Sequence, residues 1–144
     1  MVYRTLIVED EPAVRTLLAL SAQIRGHEVL TFPGPTFCPL AIAKSCSLQV
    51  ACSDILISDQ MMPDMTGLEF LALLQEKHCP VRNKALVTAA CSEQIRKKAE
   101  ELGAIVIPKP FTVTAICDWL EECERKVLPD RVLMPKELLV HPEG

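Results

Sequence analysis

Five short apolar runs alternate with stretches of helical periodicity along this chain, and that alternation restricts the folds open to it. The runs cover residues 5–8, 28–32, 55–57, 85–87 and 104–107. They are brief and rich in β-branched residues, the pattern of strands buried on both faces. Between the first two, Val14, Leu17, Leu18, Ser21 and Ile24 recur at helical spacing. Pro12 suits the first turn of that helix and Gly26 its end. Further helices are predicted over 68–77, with Leu68, Phe70, Leu71 and Leu74 on its apolar side, and over 93–102, capped by Ser92 and closed by Gly103. A last helix opens at Thr112 or Thr114 and runs to about Lys126, with Ile116, Leu120 and Cys123 inward. Residues 40–46 read as a short helix, and 48–53 are ambiguous. Strand–helix units repeated in this way predict one parallel sheet wrapped by helices on both faces, with right-handed crossovers.

The residues that end the strands carry the chemistry. Strand one ends in Glu9-Asp10, strand three in Asp59, strand four in Thr88 and strand five in Lys109. In a parallel sheet these ends share one edge, where open α/β sheets bind their ligands. Asp59 stands at the mouth of a loop built on the turn formers Pro63, Asp64 and Gly67. Taken alone it is a metal ligand, a nucleophile or merely an acidic strand terminator. Its neighbours decide against the last. Three crowded carboxylates repel, and without a cation one of them is pushed to stay protonated. Mg²⁺ fits such a set, because it takes one or two carboxylates, keeps several waters and leaves room for a phosphate oxygen. A lysine opposite the metal neutralises a phosphoryl group, and a threonine hydroxyl donates to one of its oxygens. Asp59 is then the nucleophile that forms an acyl phosphate.

Glu9-Asp10, Asp59 with the following Met-Pro-Asp-Met-Thr-Gly, Thr88-Ala89 and Lys109-Pro110-Phe111 resemble the receiver domain of two-component response regulators. The resemblance covers roughly residues 2–126. It implies a flavodoxin-like, doubly wound α/β fold with five parallel strands in the order 2-1-3-4-5. It implies that Asp59 accepts a phosphoryl group from a phosphohistidine on a sensor histidine kinase or phosphotransfer protein. Mg²⁺ would be bound directly by Asp10 and Asp59, through water by Glu9, and by the backbone carbonyl of Met61. Thr88 and Lys109 would hold phosphoryl oxygens, and the Lys109-Pro110 bond would be cis. Such a chain assists its own phosphorylation and dephosphorylation but is a signalling module rather than a turnover enzyme. The donor would approach over Val14, Arg15, Leu18 and Pro110-Phe111. Three departures stand out. Val106 occupies a position often aromatic in the family, Pro108 stiffens the loop before Lys109, and the segment from Gly34 to Asp54 is several residues longer than usual.

With 144 residues the chain suits one domain, read as a receiver over 1–126 followed by a tail or linker over 127–144. The tail is either a linker or an extension that packs back or binds a partner. The formal net charge of -4 gives no sign of a nucleic-acid surface, and no apolar run is long enough for membrane insertion. Seven cysteines without a C-x-x-C pair read as small hydrophobes. With no export signal they predict a cytoplasmic location. Met61, Met62 and Met65 read as loop packing, and Trp119 as partial packing of the last helix. His27, His78 and His141 read as solvated residues, and Arg96-Lys97-Lys98 as a solvated face.

Rival functions fit less well. A small aspartyl-phosphate phosphatase needs D-x-D-x-[TV], but Asp59 is followed by Gln60-Met61. A flavodoxin needs a phosphate loop after strand one, where Glu9-Asp10-Glu11 would repel the phosphate. A degenerate receiver acting as a phosphorylation-independent docking module would not need the full set of site residues. Its output partner or output domain is not identified by the sequence.

Overall fold

The computed structural model describes residues 1–35 and 50–136. The helix expected over 40–46, the start of the ambiguous stretch, His141 and the end of the tail lie outside the described residues. Strands β1 (Arg4–Val8), β2 (Glu28–Phe32), β3 (Ile55–Asp59), β4 (Asn83–Thr88) and β5 (Ala104–Pro108) form one sheet, ordered β2-β1-β3-β4-β5. Every neighbouring pair is parallel. Helices α1 (Pro12–Ile24), α2 (Gly67–Glu76), α3 (Glu93–Glu101) and α4 (Val113–Lys126) complete the described elements. The expected flavodoxin-like order is the observed one.

Alternation along the strands builds two cores, because successive side chains point to opposite faces. Leu6, Val8, Leu56 and Leu86 meet Phe70, Leu71 and Leu74 of α2 and Ala99 of α3 on one face. Ile7, Ile55, Ile57, Ala85 and Val87 meet Leu18 and Ala22 of α1 and Ile116, Leu120 and Cys123 of α4 on the other. Burying each of these large side chains contributes roughly 1.5–3 kcal/mol. Trp119 is half-buried against this second cluster, and Arg96, Lys97 and Lys98 are exposed, as expected. Met62 and Met65 pack into the first core, whereas the Met61 side chain is exposed. Among the described residues no helix is long and apolar enough to cross a membrane.

Element ends follow their local chemistry. Ser92 Oγ accepts from Ile95 N–H, Thr112 Oγ1 accepts from Ala115 N–H, and Thr66 and Glu69 form a reciprocal capping box at α2. β4 begins two residues earlier than the apolar run. Asn83 pairs with Ile55 and Lys84 with Leu56, since the ladder needs only backbone.

Two expectations are corrected. His27 is buried rather than solvated. Gly26 at φ 82° turns the chain straight into β2, which tucks the next side chain under the sheet. There the imidazole meets Thr5 Oγ1 at 2.8 Å and Glu124 Oε2 at 2.7 Å. Leu18, named with the donor-facing residues, is fully buried in the second core and offers no surface.

Residues after α4 cross the amino end of the sheet. Met134 N–H donates to Ala51 O at 2.8 Å, Arg4 Nη1 donates to Met134 O at 2.7 Å, and Leu133 bridges Ala51. Over its described part, the tail therefore packs back.

Candidate functional site

The parallel sheet delivers the strand ends to one edge. Asp59 is the last residue of β3 and 3% exposed. Glu9 follows β1, held by a hydrogen bond from its N–H to Phe32 O at 3.0 Å, and is fully buried. Asp10 beside it is exposed. Lys109 follows β5, with its N–H on Thr88 O at 2.9 Å and a cis bond to Pro110, as expected. Its ammonium donates to Asp59 Oδ1 at 2.8 Å and lies 3.5 Å from Glu9 Oε1. Glu9, Asp10 and Asp59 each present a carboxylate oxygen within 4.8 Å of the others.

Charge is poorly balanced here. Burial pushes Glu9 up to about 7; the Glu11 N–H opposes this, the Asp59 charge adds to it and Lys109 opposes it. Lys109 itself is disfavoured by burial, but its hydrogen bond to Asp59 and the charges of Glu9 and Asp59 outweigh that and raise it. Glu9 Oε2 accepts from Glu11 N–H at 3.2 Å, while buried Oε1 accepts no hydrogen bond. A buried oxygen with no hydrogen bond, 3.5 Å from the Lys109 ammonium and beside two further carboxylates, belongs to a donor set that suits a hard divalent cation such as Mg²⁺.

The remaining expected residues are placed less directly. Thr88 ends β4 and is buried, but its Oγ1 accepts from Ala90 N–H at 3.0 Å, within its own loop. Its carbonyl accepts from both Lys109 N–H and Cys91 Sγ. Met61 lies two residues past Asp59, and its side chain is 70% exposed. The structure thus brings Glu9, Asp10, Asp59 and Lys109 together, with Thr88 tied to them through its carbonyl on the Lys109 N–H.

Two residues shape the site without any motif to mark them. Arg15 of α1 donates from Nη1 to Glu9 O at 2.9 Å, fixing the turn after β1. Gln60 holds the loop after Asp59, accepting from Leu68 N–H through Oε1 at 2.9 Å. At the far end of that loop, a Cβ on Gly67 would run into Asp59 O and the Leu86 side chain, so only glycine allows the close return.

Residues 5–121 match the family described as response regulator receiver domain. The DNA-binding transcriptional regulator NtrC of Azospirillum brasilense is 27% identical over 135 residues, covering 89% of this chain and 25% of that protein. The positive alginate biosynthesis regulatory protein of Pseudomonas aeruginosa is 30% identical over 129 residues, covering 88% of this chain and 48% of that protein. The chain thus spans from a quarter to about half of these curated relatives. Among solved structures, chemotaxis protein CheY4 of Vibrio cholerae is 26% identical with a TM-score of 0.66, covering 89% of this chain and all of that one. FixJ-N is 28% identical with a TM-score of 0.70, covering 89% and 98%. With the family matched across most of its length and the strand order to go with it, this chain belongs to the response regulator receiver domains of two-component systems.

Proposed function

We propose that Asp59 accepts a phosphoryl group from a phosphohistidine on a sensor histidine kinase or phosphotransfer protein. One observation carries this reading: the Lys109 ammonium sits 2.8 Å from Asp59 Oδ1 inside a cluster of three carboxylates. An Asp59 oxygen forms the new P–O bond as the P–N bond to the donor breaks. The imidazole keeps that electron pair and takes up a proton. Lys109 and Thr88 steady the phosphoryl oxygens, Thr88 through the O–H that its bond from Ala90 leaves free. Glu9, Asp10, Asp59 and the Met61 carbonyl would hold Mg²⁺, which when bound neutralises charge on those oxygens. The chain would work in the cytoplasm and pass its state to an output domain or a separate partner.

The test is intact mass after incubation with Mg²⁺ and acetyl phosphate. A single phosphoryl adduct is expected on the wild-type chain and none on Asp59→Asn. An equal adduct on the variant would mean another residue is the acceptor.

A further inference from the structure

We infer that Gln60 is a positioning residue for the metal-binding loop, holding the Met61 carbonyl in register with Asp59. The inference rests on the reading of this site as an Mg²⁺-dependent phosphoacceptor.

Gln60 is bound on three sides. Its N–H donates to Val87 O at 3.1 Å, its carbonyl accepts from Gly67 N–H at 2.9 Å, and its side-chain Oε1 accepts from Leu68 N–H at 2.9 Å. Helix α2 starts at Gly67, so these two acceptors take the first two amides of the helix, which otherwise have no partner. Thr66 takes the third, at Glu69, through its side chain. Residues 61–66 are therefore a loop closed at its base by one side chain and one carbonyl of the same residue. The Gln60 side chain is buried, so an acceptor missing there would not be replaced freely by water.

The consequence concerns the residue next door. Met61 is largely exposed, so its backbone depends for its position on Gln60 on one side and the closed loop on the other. Groups that orient a metal's ligands matter almost as much as the ligands themselves, and losing one weakens metal binding about tenfold or more. The sequence hides this role, because a glutamine after an aspartate has no motif value and its partner lies eight residues on.

The experiment compares the wild type with Gln60→Met, which keeps length and loses the acceptor, Gln60→Asn, which is one methylene short, and Gln60→Glu, which keeps an acceptor oxygen. Calorimetric titration with MgCl₂ gives affinity, and hydrogen exchange of the metal-free chains reports the loop. Gln60→Met and Gln60→Asn are expected to bind Mg²⁺ about tenfold more weakly. Their Gly67 and Leu68 amides should exchange faster, with the amides of Leu6 and Leu56 still protected. Gln60→Glu should bind at least as tightly as the wild type. Equal affinity in all four chains overturns the inference, and so does equal weakening in all three variants. A wild-type chain that binds Mg²⁺ no better than Asp10→Asn overturns the underlying reading of the metal site instead.

Discussion

Arg131 and Asp54 are joined by two hydrogen bonds across 77 residues of chain, Nε to Oδ1 at 2.8 Å and Nη2 to Oδ2 at 2.7 Å. Arg131 Nη2 also donates to Val2 O, and Asp54 Oδ2 also accepts from Arg4 N–H. The segment after α4 is thereby fastened beneath β1 and β3, opposite the acidic edge. Asp54 keeps only 2% of its side chain exposed, so Arg131→Met leaves a buried carboxylate poorly compensated. Removing one partner of a fully buried pair costs about 3–5 kcal/mol. Arg131 retains 23% exposure, and the expected loss is about 2 kcal/mol by urea unfolding. A chain ending at Lys126 should lose at least as much. If Arg131→Met matches the wild type to within about 0.5 kcal/mol, the pair is only a surface contact.

Lys109→Ala should separate the proposed metal binding from the proposed phosphoryl transfer. It removes the cation that shares the cluster with Glu9 and Asp59. Mg²⁺ affinity should hold or tighten, because a positive neighbour has gone. Labelling by acetyl phosphate should slow about a hundredfold, since a donor aimed at the transferring group is missing. A parallel loss of both would place the lysine in the metal site itself.

Glu124 couples α4 to the turn before β2. Arg25 donates to it twice, from Nε to Oε2 at 3.0 Å and from Nη2 to Oε1 at 2.6 Å, and His27 Nε2 meets the same Oε2 at 2.7 Å. The Arg25 hydrogen bond holds its carboxyl below the ordinary 4.5, with burial opposing and His27 adding to the effect. A depressed folded value means that the unfolded chain takes up the proton first. The stabilisation is therefore complete above 4.5 and is lost as pH falls through the lower folded value. The gap in stability between the wild type and Arg25→Met should be full above 4.5 and shrink as pH falls through the depressed folded value. A constant gap across that range would assign the effect to packing of the arginine stem.

The acidic edge is legible in the sequence because its logic is one-dimensional. Glu9, Asp59 and Lys109 each follow an apolar run, and a parallel sheet gathers such ends without further information. His27 is different. Its burial depends on Glu124, 97 residues away, and on how a glycine turn aims one ring. Asp54 and Arg131 look like ordinary surface charges until the segment after α4 is laid against the sheet. Gln60 needs a helix start in place before its acceptor has any meaning. Contacts that depend on packing distant elements were out of reach, whereas those set by strand direction were not.

If Asp59 is phosphorylated as proposed, Thr88 and Val106 bear on the route by which the signal leaves the site. Thr88 Oγ1 accepts from Ala90 N–H and keeps its own O–H to donate, so a shift of the hydroxyl toward a phosphoryl group on Asp59 would pull on the Ala90 amide inside the same loop. The Thr88 carbonyl is tied to Lys109 N–H and Cys91 Sγ, so the displacement should pass forward along the chain. Ala89 and Ala90 are exposed and have room to move, and Ser92 caps α3 at the end of the loop. Val106 pairs with Leu86 in the sheet and packs against the first core. It is stiff at χ1 and too small to report by a large rotamer swing. The two arrangements that phosphorylation biases should therefore lie in residues 88–92 and the start of α3. Beryllofluoride mimics the phosphoryl group on Asp59, and amide NMR shifts with and without it trace the path. Changes should run from the site into residues 88–102 and be weaker around Val106. Shifts confined to the acidic edge would count against a switch in this loop, and dominant changes at Val106 would put the route through β5 instead.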